Sequence, residues 1–243
     1  IASCLVGSEM CIRDSSKNEL ELLNVWKDEI PAEVFTETFT PPITDGSGND
    51  RKNLLKAKEI LEKEGWFVED GKLVKDGKEF KFEFLIVSPS DEKIALAYQS
   101  NLKKLGITMD VRTVDSSQYQ ERLLSYDFDM IKRYWGVSLS PGNEQQFYWG
   151  SEVGQKDGSR NYPGINSPAV DALIEKLISA TNREELTTAI HALDRVLLWG
   201  HYVVPLYHSN KDRIAYWDFF EYPDEIPLYG IVIESWWINK DKQ

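Results

Sequence analysis

Apolar and polar positions follow two rhythms along this chain, and the changes of rhythm mark its elements. In residues 20–30, Leu22, Leu23, Val25, Trp26 and Ile30 predict a short helix that Pro31 ends. The Pro41-Pro42 pair and Asp45-Gly46-Ser47-Gly48-Asn49-Asp50 predict a loop. Over residues 51–64, Leu54, Leu55, Ile60 and Leu61 recur at helical spacing, with Lys58 among them, and Gly65 supplies the stop. Two Asp-Gly pairs then separate short apolar stretches: Asp70-Gly71 and Asp76-Gly77. Asp-Gly supplies the positive φ of tight hairpin turns, so small antiparallel ribbons are predicted over residues 66–84.

The middle of the chain alternates between the rhythms. Strand (82–87), helix (91–105), strand (107–114), helix (116–125) and strand (128–134) make a βαβαβ run. That order predicts a mainly parallel sheet with helices packed on it. Ligands of open α/β sheets bind beyond the carboxyl ends of the strands. The third strand ends at Arg133-Tyr134-Trp135, so the long segment 136–166 is where a binding surface is expected. Two further helices are predicted. The first opens at Ser167-Pro168 with the stripe Val170, Leu173, Ile174, Leu177 and Ile178. The second opens on a capping box of Thr181 with Glu184, followed by Leu186, Ile190, Leu193, Val196 and Leu197. Residues 202–207 and 213–217 read as strands, the first of them buried.

Composition narrows the classes. At 243 residues and 42% hydrophobic content the chain is long enough for a sizeable core. A formal net charge of −12 argues against nucleic acid or an anionic membrane surface, which require clustered Lys and Arg. No apolar run approaches the ~20 residues that span a bilayer. Both cysteines, Cys4 and Cys11, lie in the opening residues 1–15. That stretch has neither rhythm and resembles a translated adapter sequence, so it is set aside as non-native and the cysteines carry no redox meaning.

The chemistry-bearing motifs are few. His191, His201 and His208 show no metal-ligand spacing, and no Gly-x-Ser-x-Gly or phosphate-cradling loop occurs. No metal or cofactor is implied. Paired carboxylates among Asp127, Asp129, Glu144 and Glu234 would suit a glycosidase or other hydrolase. The stronger signal is aromatic and amide-rich: Trp135, Tyr148, Trp149 and Tyr207, with Asn143, Gln145 and Gln146. Flat apolar walls with a few neutral hydrogen-bonding groups suit a ligand-engulfing site. The alternative, that these aromatics fill a core, stays open for each of them.

Several stretches resemble bacterial extracellular solute-binding proteins of family 5. They are Asn53-Leu54-Leu55-Lys56-Ala57 through Gly65-Trp66; Tyr126-Asp127-Phe128-Asp129-Met130 followed by Trp135-Gly136; Ser167-Pro168 through Leu173-Ile174; Arg183-Glu184-Glu185 with Leu193-Asp194-Arg195-Val196-Leu197; and Val204-Pro205-Leu206-Tyr207. Thr40-Pro41-Pro42 and Trp236-Trp237 are most similar to the oligopeptide and microcin C branch. The resemblance implies an α/β lobe of periplasmic-binding-protein type II, with a mixed sheet and flanking helices. It implies a monomeric, non-enzymatic periplasmic or lipid-anchored extracellular receptor. Such a receptor closes two lobes on an oligopeptide or peptide-like ligand and hands it to the permease subunits of an ABC importer.

The family is usually more than twice this length, so the chain is expected to be a C-terminal portion. On that expectation, residues 16–49 are a connector from a first lobe, 50–205 the ligand-binding lobe and 206–243 a return segment. The expected ligand residues are Arg133, Tyr134, Trp135, Asn143, Glu144, Tyr148, Trp149 and Tyr207. Dipeptide-binding relatives carry an Asp shortly after the tryptophan that pairs with the peptide amine. Here residues 136–144 hold no Asp, and Glu144 is the acidic group nearest that place. A ligand-sensing domain of a regulator is the remaining alternative.

Overall fold

The computed structural model describes residues 16–48, 50–135, 140–154, 156–206, 213–227 and 230–242. It divides into two units, residues 1–204 and 205–243.

The first unit opens with α1 (Lys17–Asn24), capped by Ser16 and Glu19 in a reciprocal capping box. The helix begins earlier than its apolar rhythm, because Ser16-Lys17-Asn18-Glu19 supplies the cap, and it gives way to turns before Pro31. A single turn, α2 (Glu33–Thr36), follows, and then α3 (Arg51–Lys63), whose Asp50 side chain accepts from the Asn53 N–H. Gly65 stops α3 with φ +84°. The apolar positions of α3 are not sunk in a core: none of its residues is buried.

Strands β1 (Phe67–Glu69), β2 (Lys72–Lys75) and β3 (Lys78–Glu79) form the predicted antiparallel ribbon. Asp70, Gly71, Asp76 and Gly77 all take positive φ, as the turns require.

A parallel sheet follows in the order β5-β4-β6. It is built from β4 (Lys81–Ile86), β5 (Thr108–Thr113) and β6 (Met130–Ile131), joined by α4 (Pro89–Lys103) and α5 (Ser116–Leu124). Side chains of a strand alternate between faces. Phe84 and Ile86 of β4 meet Ala95, Tyr98 and Leu102 of α4, whereas Leu85 meets Tyr119 and Leu123 of α5. The two helices therefore cover opposite faces. This is why Phe84-Leu85-Ile86 reads as an unbroken apolar run, and each such side chain contributes roughly 1.5–3 kcal/mol on burial.

The largest core is helical. Helices α6 (Glu144–Trp149) and α7 (Ser151–Gly154) precede α8 (Pro168–Ile178) and α9 (Arg183–Trp199). Val170, Leu173, Ile174 and Leu177 of α8 face Leu193, Val196 and Leu197 of α9. Leu23, Ile30, Val34 and Trp149 join them. The cap of α9 sits one residue later than the sequence suggests. Asn182 accepts from the Glu185 N–H, and Glu185 reaches back to the backbone and hydroxyl of Thr181.

Two strand expectations fail. Residues 202–206 form no strand, and Val204 and Leu206 are exposed. Residues 213–217 form none either. A strand needs a neighbour to satisfy its backbone, and among the described residues neither segment has one. In the second unit, β7 (Phe220–Glu221) pairs antiparallel with β8 (Trp237–Ile238). Tyr216, Tyr222 and Trp236 cluster there, with ring centroids 5.0–5.7 Å apart.

Candidate functional site

The carboxyl end of β6 runs into Lys132, Arg133, Tyr134 and Trp135, and these four residues differ sharply in how they are held. The Lys132 backbone carbonyl accepts from the Tyr119 hydroxyl at 3.2 Å, which ties the strand end to α5. The Lys132 ammonium is neutralised by Asp91 in the first turn of α4. Arg133 is exposed, and among the described residues no carboxylate pairs with it. Its guanidinium lies over the Tyr162 ring, 4.9 Å from the centroid. Tyr134 is 86% exposed.

Trp135 turns inward. It stacks on Trp149 with centroids 5.5 Å apart and packs against the helical core. Trp149 is 3% exposed, and its indole N–H donates to the Gln145 Oε1 at 3.0 Å. Tyr148 meets Trp149 edge-on at 6.3 Å and is half-buried. The structure thus brings Trp135, Tyr148 and Trp149 together as the rim of a core, and it takes Trp149 and Gln145 out of reach of solvent. The supposed long loop is not structureless, because α6 and α7 lie within it. Helix α6 buries Gln145 and Trp149, one turn apart, and leaves Phe147 exposed.

Glu144 opens α6. Its carboxylate accepts from the Gly142 N–H at 3.0 and 3.1 Å and from the Gln145 amide at 3.1 Å. Burial pushes its pKa up, but the backbone N–H groups of Gly142 and Glu144 and the Gln145 amide outweigh that and hold it below the ordinary value. Glu144 is therefore a fixed anion. Asn143 is exposed and makes no side-chain cap bond. Tyr207 and residues 136–139 lie outside the described residues.

Of the other carboxylates weighed for hydrolysis, Asp127 and Asp129 have structural partners. Asp127 accepts from the Arg122 Nε at 2.8 Å, and Arg122 also pairs with Glu83 at 2.8 Å. Asp129 accepts from the Glu83 N–H at 2.9 Å. Glu234 is exposed in the second unit. Among the described residues, no group of three or more His, Cys, Asp or Glu side chains could hold a metal ion. An open depression of about 680 Å³ lies along α5, lined by Ser116, Ser117, Gln120, Glu121, Leu124, Ser125 and Asp157. None of the expected ligand residues lines it.

Asn161 and Tyr162 were not among the expected ligand residues. Asn161 is fully buried; its amide donates to the Gly150 and Ile165 carbonyls at 3.0 and 2.8 Å and accepts from the Ile165 N–H at 2.9 Å. The Asn-x-Pro-Gly stretch 161–164 is a turn signature that marks this point.

A parallel sheet covered on both faces, beside a helical core, places the chain in the periplasmic-binding-protein type II class. The oligopeptide-binding protein AppA from Bacillus subtilis, solved with a nonapeptide, shares this fold. The TM-score is 0.56 at 24% identity, covering 76% of this chain and 38% of that one.

The chain belongs to the bacterial extracellular solute-binding proteins, family 5, whose middle region matches residues 25–157. It is 49% identical over 222 residues to the uncharacterised protein y4wM of Sinorhizobium fredii, covering 90% of this chain and 34% of that one. It is 41% identical over 244 residues to the probable peptide-binding protein YejA of Agrobacterium fabrum, covering 99% of this chain and 40% of that one. The chain thus spans little more than a third of the length of these relatives. Its family is one of binding proteins that work outside the cytoplasm. Among the described residues, no helix is long and apolar enough to cross a membrane.

Proposed function

We propose that this chain is part of the substrate-binding component of an ABC importer and captures oligopeptides or peptide-like compounds between two lobes. The observation that carries this reading is the end of β6. There an exposed guanidinium, an exposed tyrosine and a core-anchored tryptophan emerge together at the carboxyl edge of a parallel sheet. The 41% identity to a probable peptide-binding protein supports peptide as the ligand class.

Arg133 meets the ligand's anionic group, and Tyr134 and Tyr148 supply aromatic surface. Trp135 forms the wall between site and core, and Trp149 backs it. Asn143 and Tyr207 bond the peptide backbone. Glu144 is available to a ligand amine. Residues 50–205 serve as the ligand-binding lobe and 206–243 as a return segment. The protein works as a monomer in the periplasm or on a lipid anchor, delivers its ligand to the permease subunits, and catalyses no reaction. No observation favours the hydrolase reading, and Asp127 and Asp129 are each engaged locally.

The test is native mass spectrometry of the protein expressed from its complete reading frame and purified from the periplasm. A co-purifying series of peptide masses is expected. A bare protein that cleaves oligosaccharides would replace this reading with the hydrolase.

A further inference from the structure

We infer that Tyr162 is a positioning residue that holds the Arg133 guanidinium in place for an anionic group at one end of the ligand. The inference rests on the peptide-receptor reading above and adds a residue and a selectivity to it. An arginine side chain at a strand end is free to sample many rotamers, and a guanidinium that samples them binds a carboxylate less well than one already placed. Here the guanidinium carbon lies over the face of a ring, 4.9 Å from its centroid. A guanidinium has five N–H donors, and one held over a ring face by cation–π attraction still has donors to offer a carboxylate.

The ring itself is fixed. Tyr162 packs against Phe128 and Tyr126, with centroids 6.4 and 6.2 Å away. The Tyr126 hydroxyl bonds the Ser159 hydroxyl, and the Gly158 N–H donates to the Leu124 carbonyl at 2.8 Å. The segment carrying Tyr162 is thus stapled to the end of α5 on one side. Its other side is closed by the buried Asn161. The neighbouring cations differ: Lys132 is neutralised by Asp91, and Arg122 by Glu83 and Asp127. Arg133 alone of these three retains an unspent charge among the described residues.

The experiment uses the protein expressed from its complete reading frame. The probe is an equimolar set of tri- to pentapeptides, each present as the free acid and as the C-terminal amide, competing in native mass spectrometry. The wild type is expected to prefer the acids, and Tyr162→Phe, which keeps the aromatic face, to retain that preference. Tyr162→Leu is expected to reduce it about two- to fivefold, the range of an exposed cation–π contact, with amide binding unchanged. An unchanged ratio in Tyr162→Leu overturns the inference and leaves the peptide reading standing. An equal loss of acid and amide overturns it too, since that is what a merely structural residue would give. Binding of neither form by the wild type overturns both. If Tyr162→Leu does not fold, Arg133→Lys takes its place: it keeps the charge, loses the stack, and must show the same drop in preference.

Discussion

Trp135 lies on Trp149 with ring centroids 5.5 Å apart and planes inclined by 27°. This contact joins the segment leaving β6 to the helical core, so on the proposed reading site and core share one wall. Trp149 is the inner member, 3% exposed, and Trp135 the outer. Trp149→Ala is expected to cost about 3–5 kcal/mol of stability, the range for deleting a buried aromatic. Trp135→Ala should cost less than Trp149→Ala and weaken ligand capture more. Urea unfolding and peptide binding on both variants check this. Equal stability losses, with binding intact in Trp135→Ala, would sink the shared-wall account.

Glu19 is a charged group buried at the join of α1 and α9. Its carboxylate, 2% exposed, faces Ser16 on its own helix and His191 and Arg195 on α9, both at 3.8 Å. Burial raises its pKa, but the His191 side chain and the Ser16 hydroxyl and backbone N–H more than offset that and set it below the usual 4.5. A carboxyl whose folded pKa is depressed stabilises the fold fully above its unfolded value. That contribution fades as pH falls through the folded value. Glu19→Gln is therefore expected to lose about 1–3 kcal/mol at neutral pH. The gap between wild type and variant should shrink below about pH 4.5, where the unfolded carboxyl begins to protonate. A gap that stays constant from pH 7 to pH 3 would show that the charge does not contribute.

Much of this could be read from the sequence, and the failures have physical causes. The Asp-Gly turns and the βαβαβ run were legible because each rests on short-range chemistry: positive φ at two residues, or one rhythm per element. Residues 202–206 misled because a strand exists only with a neighbour, which local pattern does not reveal. Trp149 was ambiguous for a different reason. A tryptophan beside glutamines suits a ligand wall and an internally bonded core equally well, and only its bond to Gln145 separates the two. Tyr162 was legible as an aromatic but not as a support for Arg133, because the 28 intervening positions of sequence hide that contact.

Asp129 offers a direct test of the carboxylate question. Its Oδ2 accepts from the Glu83 N–H at 2.9 Å, so its role in the described fold is to satisfy the backbone of β4. Asp129→Ala should lower stability by about 0.5–1.5 kcal/mol, the usual worth of one such bond. Peptide capture should stay within twofold of wild type. A variant with unchanged stability that had lost an oligosaccharide-cleaving activity would move Asp129 from fold to chemistry.

The ribbon is tied to the turn that leads from α4 into β5. Gly106 follows α4 with φ +81°, and its carbonyl accepts from the Leu73 N–H of β2 at 2.7 Å. A Cβ at this position would stand 2.9 Å from the Leu73 nitrogen and 3.2 Å from the Lys72 carbonyl carbon. Both are backbone atoms and have no rotamer by which to retreat. Gly77 also has positive φ, +73°, but nothing within 4 Å of its would-be Cβ. Gly77→Ala should therefore cost only the left-handed penalty, roughly 1–2 kcal/mol. Gly106→Ala adds displacement of β2 and should cost about 2–4 kcal/mol. It should also release the Leu73 amide to hydrogen exchange, whereas Gly77→Ala leaves that amide protected. Equal costs, with Leu73 protected in both variants, would mean that the ribbon moves freely on the sheet and that the close approach at Gly106 does not hold it.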